Sequence, residues 1–233
     1  MGTSLAHKAY TYILNRILQN EYVPGQIINR REIAQTLGIS ISPVTEAMVL
    51  LENEGLLETF SRKGTQVRVV TDDDFAGYLF LREAIECSVV RLIAGKRIYE
   101  NREELLRLAR LVDTATWGNL EYYYADKDFH QALVDLCQNS AISKEYHRIS
   151  TLGLYFTPTH IRLKGSFDGG VNHCELVTLL AESSSEDAAR ILQRHIHSGK
   201  GSLPLPAPGS AGIDCKSPYE KPNGVGRSVN TAV

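Results

Sequence analysis

The order of predicted elements restricts the N-terminal part of this chain to few folds. Two helices are joined by a tight glycine turn, and a β-hairpin follows directly. Apolar residues at helical spacing over 6–17 predict an amphipathic helix in front of them. The next helix is predicted over 31–37 and ends at Gly38, which suits the left-handed position after a helix. In the helix that follows, Ser42 is predicted to be the cap. Pro43 then lies in the first turn, where a missing N–H costs nothing.

The hairpin consists of two strand-like segments, 56–60 and 65–69, on either side of a basic turn. Arg62, Lys63 and Gly64 at its tip suit a phosphate backbone, because the cations neutralise charge and glycine permits close approach. With the three helices, the hairpin predicts a winged helix-turn-helix, in which the third helix enters the major groove of DNA.

This segment resembles the winged-helix domain of GntR-family regulators over about residues 5–70. The resemblance is carried, in order, by Pro24-Gly25, Glu32-Ile33-Ala34-Gln35-Thr36-Leu37-Gly38-Ile39-Ser40, Pro43-Val44, Glu46-Ala47, Leu50-Leu51-Glu52, Glu54-Gly55-Leu56 and Gly64-Thr65. It implies a domain, residues 1–70, that binds double-stranded operator DNA. The residues expected to contact DNA are Arg30, Arg31, Ser40, Ser42, Thr45, Arg62, Lys63 and Gly64.

The chain departs from its family at two positions of the third helix. Most relatives carry arginine where this sequence has Ile41 and Thr45. Bidentate readout of bases by these two arginines is therefore absent. An unusual operator, a lower affinity and loss of DNA binding all remain open.

Composition is that of an ordinary globular protein, with 43% hydrophobic and 22% charged residues and a net charge of −2. No apolar run reaches the roughly 20 residues of a membrane helix, and no secretory signal opens the chain, so we expect a cytoplasmic protein without membrane contact. The four scattered cysteines, without CxxC spacing, are expected to be reduced thiols.

The second part of the chain, 71–200, has helical periodicity throughout. Helices are predicted over 72–94, 102–117, 119–137, 140–163, 169–181 and 185–198. The fold class is therefore mainly α, with a winged helix-turn-helix followed by an antiparallel bundle of about six helices. Residues 201–233 are rich in proline and glycine and are predicted to be a disordered tail.

Four residues of the second part could meet at one point. Asp126 and His130 are four residues apart, which puts them on the same face of a helix. His173 and His195 stand about equally far before and after the turn at 182–185, so they come level in an antiparallel helix pair. Three imidazoles and a carboxylate suit a divalent ion such as Zn²⁺, Ni²⁺ or Mn²⁺. A surface ion pair of Asp126 with His130, and surface positions for the other histidines, are the alternative.

The same residues are similar to the FCD effector domain of the FadR branch of GntR regulators. The similarity rests on Asp126-x-x-Phe129-His130-x-x-Leu133, on the spacing of His173 and His195, and on Leu81-Arg82-x-x-Ile85-Glu86. It implies that Asp126, His130, His173 and His195 bind a divalent metal ion. It also implies that the cavity beside them accepts a small carboxylate effector.

Arg82, Tyr155 and Arg162 are expected to line that cavity. Arg82 either holds the effector carboxylate through two hydrogen bonds or pairs with Glu86 one helical turn away. The aromatic residues Trp117 and 122–124 are expected to belong to the core or to an interface.

These features predict a ligand-responsive DNA-binding transcriptional regulator that acts as a homodimer and is not an enzyme. Two alternatives belong to other classes. One is a metal-dependent enzyme acting on small organic acids. The other is a regulator-derived ligand-binding module with weakened DNA binding.

Overall fold

The computed structural model describes residues 4–164 and 172–198, with the backbone alone over 160–164. Its first part consists of three helices and one hairpin. These elements are α1 (Leu5–Leu18), α2 (Arg30–Leu37), α3 (Ile41–Asn53), β1 (Leu57–Phe60) and β2 (Gly64–Val67). The winged helix-turn-helix arrangement predicted from the sequence is confirmed.

Two residues set the turn between α2 and α3. Gly38 ends α2 in the left-handed conformation at φ +64°, as expected for a glycine after a helix. The predicted cap of α3 was wrong, because α3 begins at Ile41 and Ser40 is the extended residue before it (φ −71°, ψ 165°). Ser42 lies inside the first turn, where its hydroxyl bonds to Glu46 (3.3 Å). Pro43 is in the first turn, as predicted.

The hairpin is a short antiparallel wing, paired from Leu57↔Val67 to Phe60↔Gly64. Arg62 at its tip adopts a positive φ of 67°, which an L-residue with a side chain seldom takes. The wing therefore presents an exposed basic residue in an unfavourable backbone conformation at its tip.

The second part is a helical bundle. Its helices are α4 (Asp72–Ile93), α5 (Lys96–Glu100), α6 (Arg102–Thr114), α7 (Leu120–Asp135), α8 (Ser140–Lys164), α9 (His173–Glu182) and α10 (Ser185–His197). A capping box between Thr71 and Asp74 starts α4, which then packs along α10 and α8. Helix α6 packs against α7 and α9. The mainly α fold class is thus confirmed.

The predicted bundle differs from the observed one in detail. The short α5 was not predicted, and α6 ends at Thr114 rather than near residue 117. The helix expected over 169–181 is described only from His173 onward, and the tail predicted over 201–233 lies outside the described residues. Within the described part of the chain, no helix combines the length and apolarity needed to cross a membrane.

The two parts are joined by specific contacts at the end of the wing. The Tyr155 hydroxyl on α8 donates a hydrogen bond to the backbone carbonyl of Arg68 (2.6 Å). The Arg68 guanidinium in turn pairs with Asp74 at the start of α4. Gly55, just after α3, lies so close to Leu152 of α8 that a Cβ atom there would be 3.1 Å from a Leu152 methyl. Helix α8 therefore touches the segments on both sides of the wing.

Candidate metal centre

Three buried histidines and one aspartate converge in the bundle. Helix α7 supplies Asp126 and His130, α9 supplies His173 as its first residue, and α10 supplies His195. One ligand atom from each lies within 4.8 Å of those of the other three. His173 Nε2 is 3.2 Å from Asp126 Oδ1, and His130 Nε2 is 3.3 Å from His195 Nε2. The structure thus brings together all four residues that the sequence indicated.

Local capping explains why the histidines of α9 and α10 meet. The Asn172 side chain accepts hydrogen bonds from the backbone N–H groups of Cys174 (2.8 Å) and Glu175 (3.3 Å), so α9 begins at His173. Ser184 caps α10 in the same way after a short turn. The two helices pack together, which brings residues near the start of α9 level with residues near the end of α10.

Two carboxylates orient two of the histidine rings. Glu86 Oε2 on α4 bonds to His130 Nδ1 (2.7 Å). Asp113 Oδ1 on α6 accepts from the His173 backbone N–H (2.9 Å) and pairs with His173 Nδ1 (3.0 Å), while Oδ2 accepts from the Cys174 N–H (3.0 Å). A carboxylate at Nδ1 favours the tautomer with its proton there, which leaves an Nε2 lone pair facing the cluster.

The surroundings of the cluster favour an ionised Asp126 and a neutral His195. Burial alone would raise the pKa of Asp126, but His130 and Arg82 hold it well below its usual range. Burial, together with the neighbouring His130 and His173, lowers the pKa of His195 well below the ordinary histidine value. A neutral imidazole and an ionised carboxylate are the protonation states in which these side chains bind metal.

The donor set fits a borderline divalent cation. Three imidazole nitrogens and one carboxylate oxygen match Zn²⁺, Ni²⁺ or Mn²⁺ better than a soft ion. Within the described residues, the Nδ1 atom of buried His195 has no hydrogen-bond partner, and its Nε2 faces the Nε2 of His130. A cation between the two Nε2 atoms would be bound by a lone pair from each ring.

A cavity opens beside the cluster and encloses about 480 Å³ of space between protein atoms, part of it open to solvent. Arg82 lines the cavity, and its Nε also donates a hydrogen bond to Glu86 Oε1 (2.5 Å) one helical turn away. Pairing with Glu86 and a position in the cavity wall, which the sequence left as alternatives, therefore occur together. Tyr155 was expected in the lining, but it lies elsewhere, because its hydroxyl is directed at the Arg68 carbonyl. The Arg162 side chain lies outside the described residues.

Sequence reasoning missed part of the site. Asp113 is 60 residues from His173, and no local spacing connects them. Lys127 lines the cavity next to Asp126, and so do Trp117, Tyr122 and Tyr123, which the sequence assigned to core or interface. The aromatic cluster just before Asp126 was the one signal that could have indicated a wall of the cavity.

The residues expected to contact DNA lie at the surface of the first part. Two of them, Thr45 and Gly64, are half-buried. The others are exposed, namely Arg30, Arg31, Ser40, Ser42, Arg62 and Lys63. Helix α3 contains no lysine or arginine, and it carries Glu46 and Glu52. Positive charge is therefore concentrated at the start of α2 and at the wing tip.

Comparison with known proteins agrees with this architecture. The family model described as bacterial regulatory proteins of the gntR family matches residues 5–67, and the FCD domain model matches residues 78–198, more than half of the chain. The chain belongs to the GntR family. This GntR-family chain combines a helix-turn-helix domain with an FCD domain, and both domains are those of transcriptional regulators rather than enzymes.

Relatives of this GntR-family chain are regulators too. An HTH-type transcriptional regulator from an unstable DNA locus of Streptomyces ambofaciens is 31% identical, over 58% of this chain and 57% of that protein. The Nta operon transcriptional regulator of Aminobacter aminovorans is 30% identical, over 74% of this chain and 82% of its own length.

A solved structure shares the fold. It is that of a GntR transcriptional regulator from Rhodococcus sp. RHA1, with a TM-score of 0.64 and 21% identity, over 83% of this chain and 94% of that one.

Proposed function

We propose that this protein is a ligand-responsive, DNA-binding transcriptional regulator of the FadR branch. In this proposal residues 71–200 bind a divalent metal ion and a small organic acid, and residues 1–70 bind operator DNA in the cytoplasm. The observation that carries it is the convergence of Asp126 and three buried histidines at a cavity lined by Arg82. A metal ion, Zn²⁺, Ni²⁺ or Mn²⁺, would be held by Asp126, His130, His173 and His195.

Each part of the site has a separate task. A bound divalent ion would supply a Lewis-acidic anchor for an anionic ligand. Arg82 presents guanidinium N–H groups that can bind a carboxylate, while its Nε is held by Glu86. An effector that prefers one arrangement of the two domains would shift the population between arrangements, and with it the affinity for the operator.

Selection from a random duplex library, followed by fluorescence anisotropy, tests the proposal. We expect a short pseudo-palindrome to be enriched and its affinity to change when metal and an organic acid are added together. Equal operator affinity with and without the bound acid would contradict the regulatory part. The salt dependence of binding counts the phosphate contacts.

A second candidate function has a specific observation in its favour. The outward face of α3 lacks cations and exposes Ile41, Val49 and Leu50. A regulator-derived ligand-binding module without a sequence-specific operator would have such a face. If this second function is correct, selection from the duplex library gives no enrichment. The double variant Ile41→Arg/Thr45→Arg then gains DNA binding that the natural chain lacks.

Homodimerisation is supported by one face of α4. Leu81 and Leu92 are exposed, Leu92 to 76%, and the positions between them on this face are small. The uncharged stripe consists of Gly77, Leu81, Ala84, Ser88 and Leu92. A second copy of the chain with the same stripe would cover it through a two-fold contact.

Leu92→Glu is expected to convert the dimer into a monomer, because it places a charge within an apolar contact. Sedimentation velocity measures the change in mass. Leu111→Glu is the matched control, since Leu111 is 50% exposed on α6, away from the stripe. Unchanged mass of Leu92→Glu would place the dimer contact elsewhere.

Asp113→Asn is expected to weaken Zn²⁺ binding by about 10–100-fold, the usual cost of losing a residue that orients a metal-bound histidine. The amide offers one acceptor where the carboxylate serves three donors of His173 and Cys174. Competition with a chromogenic chelator measures the affinity. Asp128→Asn removes the same charge from an exposed position on α7 and should leave the affinity unchanged.

A further inference from the structure

The lining of the cavity beside the metal centre combines ionisable and aromatic side chains. Its ionisable members include Arg82, Asp126 and His130. Its aromatic members include Tyr78, Trp117, Tyr122 and Tyr123. A ligand that fills the cavity therefore meets both ionic groups and ring surfaces.

The polar atoms on these walls are largely occupied by bonds within the protein. The Tyr146 hydroxyl donates to Glu86 Oε1 (2.7 Å), and the Ser150 hydroxyl donates to the His147 carbonyl (3.0 Å). An aliphatic acid with several hydroxyl groups would lose water from each of them and find few new partners here.

The rings can instead receive a flat apolar group. Tyr122 and Tyr123 lie edge to face, with ring centroids 5.5 Å apart and planes at 82°, so they present surfaces in two directions. Trp117 lines the cavity and is 38% exposed, so its indole can gain burial against a ligand ring. Aromatic pairs in such arrangements are favoured beyond the burial of their area.

We infer that the effector is a single-ring aromatic carboxylate, with its carboxylate at Arg82 and its ring against Trp117 and Tyr122. This inference rests on the proposed function, in which the cavity takes an organic acid. Lys127 in the same lining adds positive charge that favours an anion.

The test compares two ring-bearing probes, with acetate as a third, ringless carboxylate, on the full-length, Zn²⁺-loaded protein. Benzoate and cyclohexanecarboxylate have the same charge and the same number of carbon atoms, and only benzoate has a flat π-system. Trp117 is the single tryptophan of the chain, so its fluorescence reports occupancy of the cavity directly. We expect benzoate to bind with a Kd about tenfold lower than that of cyclohexanecarboxylate. Equal or tighter binding of cyclohexanecarboxylate would overturn the inference.

A variant identifies the ring that makes the difference. Trp117→Leu should remove most of the advantage of benzoate, measured by calorimetry because the fluorophore is lost. Tyr99→Leu is the control, since Tyr99 is an exposed aromatic residue on α5 that does not line the cavity. A Trp117→Leu protein that keeps the full preference for benzoate contradicts the assigned contact.

The outcomes separate this inference from the function on which it rests. If cyclohexanecarboxylate or acetate binds and benzoate does not, the aromatic class is wrong and the organic-acid sensor stands. If none of the three binds to protein whose metal content is verified, both the inference and the organic-acid part of the proposed function fail. Direct metal titration reports on the centre itself in either case.

Discussion

Replacing His195 with alanine is expected to lower Zn²⁺ affinity by more than about 100-fold, since removal of an orienting residue alone typically costs 10–100-fold. His195 is the cleanest ligand to remove, because its Nδ1 has no hydrogen-bond partner among the described residues. His130 and His173, in contrast, also pair with Glu86 and Asp113, so their loss would remove a hydrogen bond from each of these carboxylates as well. Chelator competition on the purified protein measures the affinity.

His197→Ala provides the matched control for this experiment. His197 lies two residues further along α10, and its Nε2 pairs with Glu83 (2.7 Å) outside the cluster. We expect its metal affinity to equal that of the unaltered protein. Tight, stoichiometric Zn²⁺ binding by His195→Ala would show that the four residues are not the metal ligands.

The second large effect concerns the wing. In the double variant Arg62→Gly/Lys63→Ala, we expect DNA affinity to fall by about 10–100-fold at physiological salt and the slope of log K against log salt to shrink by about 2, because each phosphate contact contributes about 0.9. The wing tip is one of the two places where the DNA-binding part concentrates positive charge. Anisotropy titrations at several salt concentrations measure both quantities.

The Arg62→Gly substitution should stabilise the folded protein although it weakens DNA binding. Arg62 has a φ of 67°, and a left-handed conformation costs an L-residue with a side chain about 1 kcal/mol relative to glycine. Arg62→Gly is therefore expected to raise the free energy of unfolding by up to about 1 kcal/mol while it weakens DNA binding. Such strain at an exposed basic tip is what a functional constraint on the wing would produce.

Lys96→Ala tests whether any loss of charge has the same effect. Lys96 is an exposed cation at the start of α5, remote in sequence from the wing. Its removal should leave the salt slope unchanged. A double wing variant with the same slope as the unaltered protein would contradict the placement of the wing on the phosphate backbone.

Local signals in the sequence were sufficient for most of the fold. Helical spacing of apolar residues, Gly38 and the two strand-like segments around the basic turn each act over a few neighbouring positions. Local signals did not identify the cap of α3 correctly. Ser40 and Ser42 are both suitable caps by residue type, and the path of the chain after Gly38 decides that Ser40 takes the extended conformation.

The sequence by itself determined most of the helices, the wing, the shared helix face of Asp126 and His130, and the level positions of His173 and His195. Those relations depend on helical periodicity and on one short turn between α9 and α10. The tertiary structure alone decided that Asp113 holds His173, that Tyr155 bonds to Arg68 and that Trp117 and Tyr122 line the cavity. Such contacts depend on how separate helices pack, because residues 60 or more positions apart meet only when the helices that carry them share a core.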